Sequence, residues 1–132
     1  MHIDSRLEQG AFLIGDLSLC RVYLKDTQDY PWLVLVPKIE GVTEIYELSS
    51  TQQTLLMNDV TKASQLIKTH FDVEKINVAS LGNIVSQLHV HVVGRRCDDP
   101  LWPHAIWQAD LKPNPYPQSE ILIQLQRAFH LD

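Results

Sequence analysis

The segment Gln87-Leu88-His89-Val90-His91-Val92 alternates polar with apolar residues, the period-2 pattern of a half-buried strand. On such a strand Gln87, His89 and His91 share one face, and Leu88, Val90 and Val92 share the other. Two imidazoles and an amide are then presented about 7 Å apart, on a support anchored by its apolar side. A neutral imidazole nitrogen is nucleophilic near neutral pH, and a second one can position or protonate a leaving group. Two other readings compete. The histidines could be satisfied structural groups, or His-x-His could chelate zinc. A metal would need a third ligand. His104, Asp98, Asp99 and Cys97 are the nearest candidates, none at a diagnostic spacing.

A strand in this position needs a sheet around it. Ala11–Ile14 and Leu19–Leu24 read as strands, and a turn near Gly15-Asp16 makes them a hairpin. Trp32–Val36 is a near-continuous apolar run closed by Pro37, as expected of a central strand buried on both faces. Residues 4–10 suit a short helix capped by Asp4 or Ser5. Ser50 and Gln53 have capping-box spacing, and Leu56, Val60, Ala63 and Ile67 follow at helical intervals. A helix over 51–70 should therefore lay one apolar stripe on the sheet. Lys75–Ala79 is the next strand, and Gly82-Asn83 turns the chain toward the histidines. After Arg96 the chain is Pro- and Trp-rich to Pro117, irregular but ordered by Trp102 and Trp107. Ile121, Leu122, Leu125 and Phe129 mark a short C-terminal amphipathic helix. The sum is an α+β fold, a mostly antiparallel sheet with one long helix packed on it.

Length and composition narrow the function. The 132 residues suit one domain, 1–132, with a core of its own. A net charge of −5 argues against a nucleic-acid binder, which usually carries a basic stripe. A small anionic ligand is compatible with it, because a local pocket can be positive on an acidic protein. The two cysteines, Cys20 and Cys97, are too few for a disulfide framework. No apolar run approaches the roughly 20 residues of a membrane span, and Met1-His2-Ile3-Asp4-Ser5 leads into charge rather than into a signal peptide. The expectation is a cytoplasmic protein without membrane partners.

The stretch from Gln87 to Arg95 resembles the signature of the histidine-triad superfamily, His-φ-His-φ-His-φ-φ with φ apolar, followed by Gly or Pro and a basic residue. One position departs, since Gln87 stands where the first histidine is usual. Trp32-Leu33-Val34-Leu35-Val36-Pro37-Lys38 resembles the superfamily's strand ending in apolar-Pro-Lys. Tyr30-Pro31-Trp32, Gly82-Asn83 and Asp98-Asp99-Pro100-Leu101-Trp102-Pro103 further resemble a bacterial diadenosine-tetraphosphate-hydrolase-like branch.

The resemblance implies a nucleotide hydrolase or transferase in which His89 attacks an α-phosphorus. His91 and Gln87 would stand around the phosphate. No metal or cofactor would be needed, and the protein would be a homodimer acting on a small-molecule nucleotide. It also implies Asp26 as a ribose ligand, which otherwise reads as a turn aspartate. Asn83 would contact phosphate or simply serve the turn. Arg95 would reach an anion or be a solvated strand-end charge, and Trp102 and Trp107 would cover a base or close the core. Trp32 stands where many members carry a further histidine, and an indole cannot shuttle protons. A nucleotide-binding module with little catalysis is therefore the competing reading, and a metal-dependent hydrolase using His89 and His91 the third.

Overall fold

The computed structural model describes residues 1–107, 110–117 and 120–131. Five strands form one antiparallel sheet in the order β1-β2-β3-β5-β4. They are β1 (Ala11–Asp16), β2 (Cys20–Lys25), β3 (Trp32–Pro37), β4 (Lys75–Ala79) and β5 (Val90–Arg95). Helix α1 (Ser5–Glu8) precedes β1, α2 (Ser50–His70) lies between β3 and β4, and α3 (Glu120–Leu131) ends the described chain. The α+β expectation therefore holds, with β3 buried along its whole length in the middle of the sheet.

The two faces of the sheet are covered differently. On one side Val22, Leu24, Leu33, Leu35, Val90 and Val92 meet Leu56, Val60, Ala63 and Ile67 of α2 and Leu125 of α3. Each large apolar side chain buried there contributes about 1.5–3 kcal/mol. On the other side Tyr23, Trp32, Val34, Val36 and Val93 are covered by Ile3, Leu7, Tyr30, Val85 and Ile106. That second cover consists of the N-terminal segment and loops. This is the face that carries the histidines.

Three local expectations need correction. The α2 capping box starts one residue earlier, with Ser49 and Gln52 bonding reciprocally. Two adjacent serines, each followed three residues later by glutamine, made either register possible, and Gln53 instead donates to the Leu48 carbonyl. The β1–β2 turn falls after Asp16, because Gly15 lies within β1 at a shift in pairing register. Finally, β5 starts at Val90, so Gln87 and His89 precede the ladder. Asp59 adds an unforeseen tie between helix and hairpin. Fully buried on α2, it accepts from the backbone N–H groups of Leu19 and Cys20 at 2.8 and 2.9 Å.

The packing of α2 and of Val73, just after it, against β5 leaves no room at Gly94. A Cβ there would lie 2.7 Å from Val73 Cγ1 and 2.8 Å from Ile67 Cγ2, and both side chains are buried and hemmed in. Gly94→Ala is expected to destabilise the protein by about 1–3 kcal/mol. Urea unfolding should show a lower midpoint at an unchanged slope.

Candidate active site

A cavity of about 490 Å³ opens on the loop-covered face of the sheet, within the size range of small-molecule sites. Its floor is Trp32 and Val34 of β3 with His91 of β5 and His89 just before that strand. Leu7 and Arg6 of α1 form one wall, and Gly82, Asn83, Ile84 and Val85 form another. Arg6 joins the two walls by donating to the Ile84 carbonyl. Gln9, Lys25, Leu81 and Trp107 complete the lining.

The hydrogen bonds assign a tautomer to each imidazole. His89 Nδ1 lies 2.7 Å from the Gln87 backbone carbonyl. A carbonyl can only accept, so Nδ1 carries the proton and Nε2 keeps its lone pair. At His91 the polarity is reversed. The Trp32 indole Nε1–H donates to His91 Nδ1 at 3.0 Å, and indole is a donor only. A neutral His91 therefore carries its proton on Nε2. Burial is the largest of the influences that push His91 down to about 3, with the nearby charges of His89 and Lys25 adding to it. The rings stand edge to face, 5.0 Å between centroids. The site thus presents one imidazole with an open nucleophilic nitrogen beside one that acts as a neutral N–H donor.

The expected site residues divide. His89, His91 and Asn83 line the cavity, as does Trp107. The Gln87 side chain does not. Its Oε1 accepts from the Asp4 N–H at 2.8 Å and its Nε2 donates to the His2 carbonyl at 3.0 Å. Its amide is turned instead to the N-terminal segment, whose Asp4 N–H and His2 carbonyl satisfy it. Gln87 clamps that segment and contributes its main-chain carbonyl to His89.

Asp26 also lies outside the lining, and its carboxylate accepts from the Tyr116 N–H. Arg95 is neither solvated nor in the cavity. Only 2% exposed, it pairs through two nitrogens with Asp99 at 2.7 and 3.0 Å and donates to Asn77 Oδ1. Burial alone would raise the Asp99 pKa, but the bonds from Arg95 and from loop N–H groups outweigh it and lower it. Trp102 is partly exposed beside Arg95, not core.

None of the candidate third metal ligands lines the cavity. Asp99 and Asp98 pair with Arg95 and Arg96, and Cys97 meets Glu74. Among the described residues no group of three His, Cys, Asp or Glu is placed to hold a metal ion. Lys25 and Arg6 are the charged cavity residues that the sequence reading missed. At the end of a strand, a lysine carries no signal that separates it from a solvated one.

An antiparallel α+β sheet with paired histidines over a cavity defines a class, and comparison with known proteins specifies it. Residues 6–98 match the HIT domain family, and the chain belongs to that family. It is 38% identical to a histidine triad (HIT) protein of Sinorhizobium meliloti 1021, with a TM-score of 0.89 over 98% of this chain and 95% of that one. A histidine triad protein of Bradyrhizobium japonicum is 36% identical, with a TM-score of 0.88 over 96% of both chains. One from Marinobacter aquaeolei VT8 is 35% identical, with a TM-score of 0.90 over 98% and 96%. No curated protein matches. None of the described helices is long and apolar enough to cross a membrane.

The tautomers carry a pH signature. Above the ordinary imidazole pKa of 6.5, His91 is neutral in both folded and unfolded chains. As pH falls from there toward about 3, the unfolded chain takes up a proton that the folded one refuses, so stability declines. Nitrogen-15 NMR should find His91 neutral and protonated on Nε2 down to about pH 4. Trp32→Phe, which frees Nδ1, should move its titration upward. A wild-type His91 titrating like a free imidazole would contradict the assignment.

Proposed function

We propose that this protein is a nucleotide hydrolase or transferase that works at the α-phosphate through a nucleotidyl-histidine intermediate on His89. The observation that carries the reading is the bond from His89 Nδ1–H to the Gln87 carbonyl, which leaves Nε2 as the nitrogen able to attack. In the first step the Nε2 lone pair forms a bond to phosphorus. The bond from phosphorus to the leaving group breaks, and its electron pair departs with that group. The resulting imidazolium keeps its Nδ1–H on the Gln87 carbonyl, which favours the developing positive charge. Water or another acceptor then attacks phosphorus, the P–N bond returns its pair to Nε2, and the acceptor's proton is released.

His91 Nε2–H serves as a hydrogen-bond donor to the phosphoryl region. Asn83, in the cavity wall, would contact phosphate, and Trp107 would border the nucleoside. The acceptable leaving groups are those of phosphoanhydrides or phosphoramidates, including diadenosine polyphosphates. The homodimer, the cytoplasmic location and the diadenosine-tetraphosphate-hydrolase-like branch belong to this same proposal. The competing reading is a nucleotide-binding module with little turnover. It is favoured by the Trp32–His91 bond, which occupies the nitrogen through which His91 would relay a proton.

A substrate panel in EDTA, comparing diadenosine polyphosphates with adenosine phosphoramidates, separates the two. Wild type is expected to release AMP without metal. His89→Ala should lower the rate by at least about a thousandfold, as loss of a nucleophile does. Gln87→Ala retains the backbone carbonyl and should fall far less. Nucleotide affinity without AMP release from any substrate would establish the binding-module reading instead.

A further inference from the structure

Lys25, like Arg6, is a charged residue of the cavity with no role in the chemistry above. It ends β2 on the loop-covered face, half-buried, with its Nζ 4.2 Å from the centroid of the Trp32 ring. Trp32 is the residue that holds His91, so the ammonium sits against the same indole that fixes the donor imidazole. The other cation in the lining, Arg6, is engaged by both carboxylate oxygens of Asp4. Lys25 has no carboxylate partner among the described residues. A half-buried ammonium set against an aromatic ring with no carboxylate partner lacks a counter-charge, and burial lowers its pKa. An anionic ligand in the cavity would supply that charge.

The chemistry at His91 points the same way. Its Nδ1 is taken by the indole, so giving up the Nε2 proton would leave an imidazolate. His91 can offer a hydrogen bond to a leaving group but is poorly suited to hand it a proton. A phosphate leaving group departs as an anion and needs none, whereas an amine does.

Resting on the hydrolase reading, we propose that Lys25 binds the phosphate beyond the α-phosphorus and thereby selects nucleotides with an anionic, phosphate-bearing leaving group. The P–O bond to that phosphate breaks, its electron pair stays on the departing oxygen, and the ammonium lies beside the charge that develops.

The test measures dissociation constants for AMP, ADP and ATP in EDTA with wild type, Lys25→Met and Lys25→Arg. Affinity in the wild type should rise about tenfold from AMP to ATP, the scale of one charge-assisted contact. Lys25→Met should abolish that rise while keeping AMP affinity within about twofold, which also reports an intact fold. Lys25→Arg should restore the rise. A rise that persists in Lys25→Met, or an equal loss for AMP, overturns the proposal. Because the readout is binding, absence of turnover would sink the hydrolase reading while leaving the role of Lys25 decided by these constants.

Discussion

The site depends on β5 being unable to slip. Leu33 to Leu35 of β3 pair with Val92 to Val90 on one side, and Asn77 to Ala79 of β4 pair with Val93 to His91 on the other. A shift of one residue would turn His91 into the α2 core and Val92 into the cavity. Val90, Val92 and Gly94 prevent it, because their side of the strand is packed so closely that Gly94 has no space for a methyl group. The register also sets the geometry of Trp32 and His91, whose hydrogen bond spans the β3–β5 pair.

From that fixed frame the two imidazoles acquire opposite properties through their Nδ1 atoms. One meets a carbonyl and the other an indole N–H. Side chains of one type, with rings 5.0 Å apart, thus differ in which ring nitrogen carries the proton, without any titratable partner on either Nδ1. Gln87 contributes to this through its main chain, while its amide holds residues 2–4 over the sheet. The N-terminal segment, with α1 behind it, is thereby drawn into the wall of the cavity. Arg95 performs the corresponding task at the far end of β5, where Asp99 also accepts from the N–H groups of Leu101 and Trp102 and fixes the following loop.

Much of this was legible from the chain. The apolar run of β3, the α2 stripe and the alternation around His89 and His91 are periodic signals, and periodicity follows directly from backbone geometry. What stayed hidden depends on partners distant in sequence. Gln87 bonds to Asp4, 83 residues away, and Asp26 to Tyr116, 90 residues away. Neither pairing has a local pattern. Arg95 reads as an anion ligand or a solvated charge because a strand-end arginine is usually exposed, yet Asp99 buries with it. Lys25 was passed over for the same reason, since its closeness to Trp32 becomes visible only once β2 and β3 are paired. The alternation reaches back to His89 but not to Gln87, whose amide is held by Asp4 and His2 of the N-terminal segment.

The central claim is that His89 Nε2 attacks phosphorus and that water attacks afterwards. The stereochemical course tests it without requiring the intermediate to accumulate. A nucleotide anhydride with a chiral α-phosphorothioate would be hydrolysed in isotopically labelled water, and the configuration of the product compared with that of the substrate. Two successive in-line displacements predict net retention at phosphorus. Inversion would mean that water attacks directly, and would contradict the nucleophilic role assigned to His89.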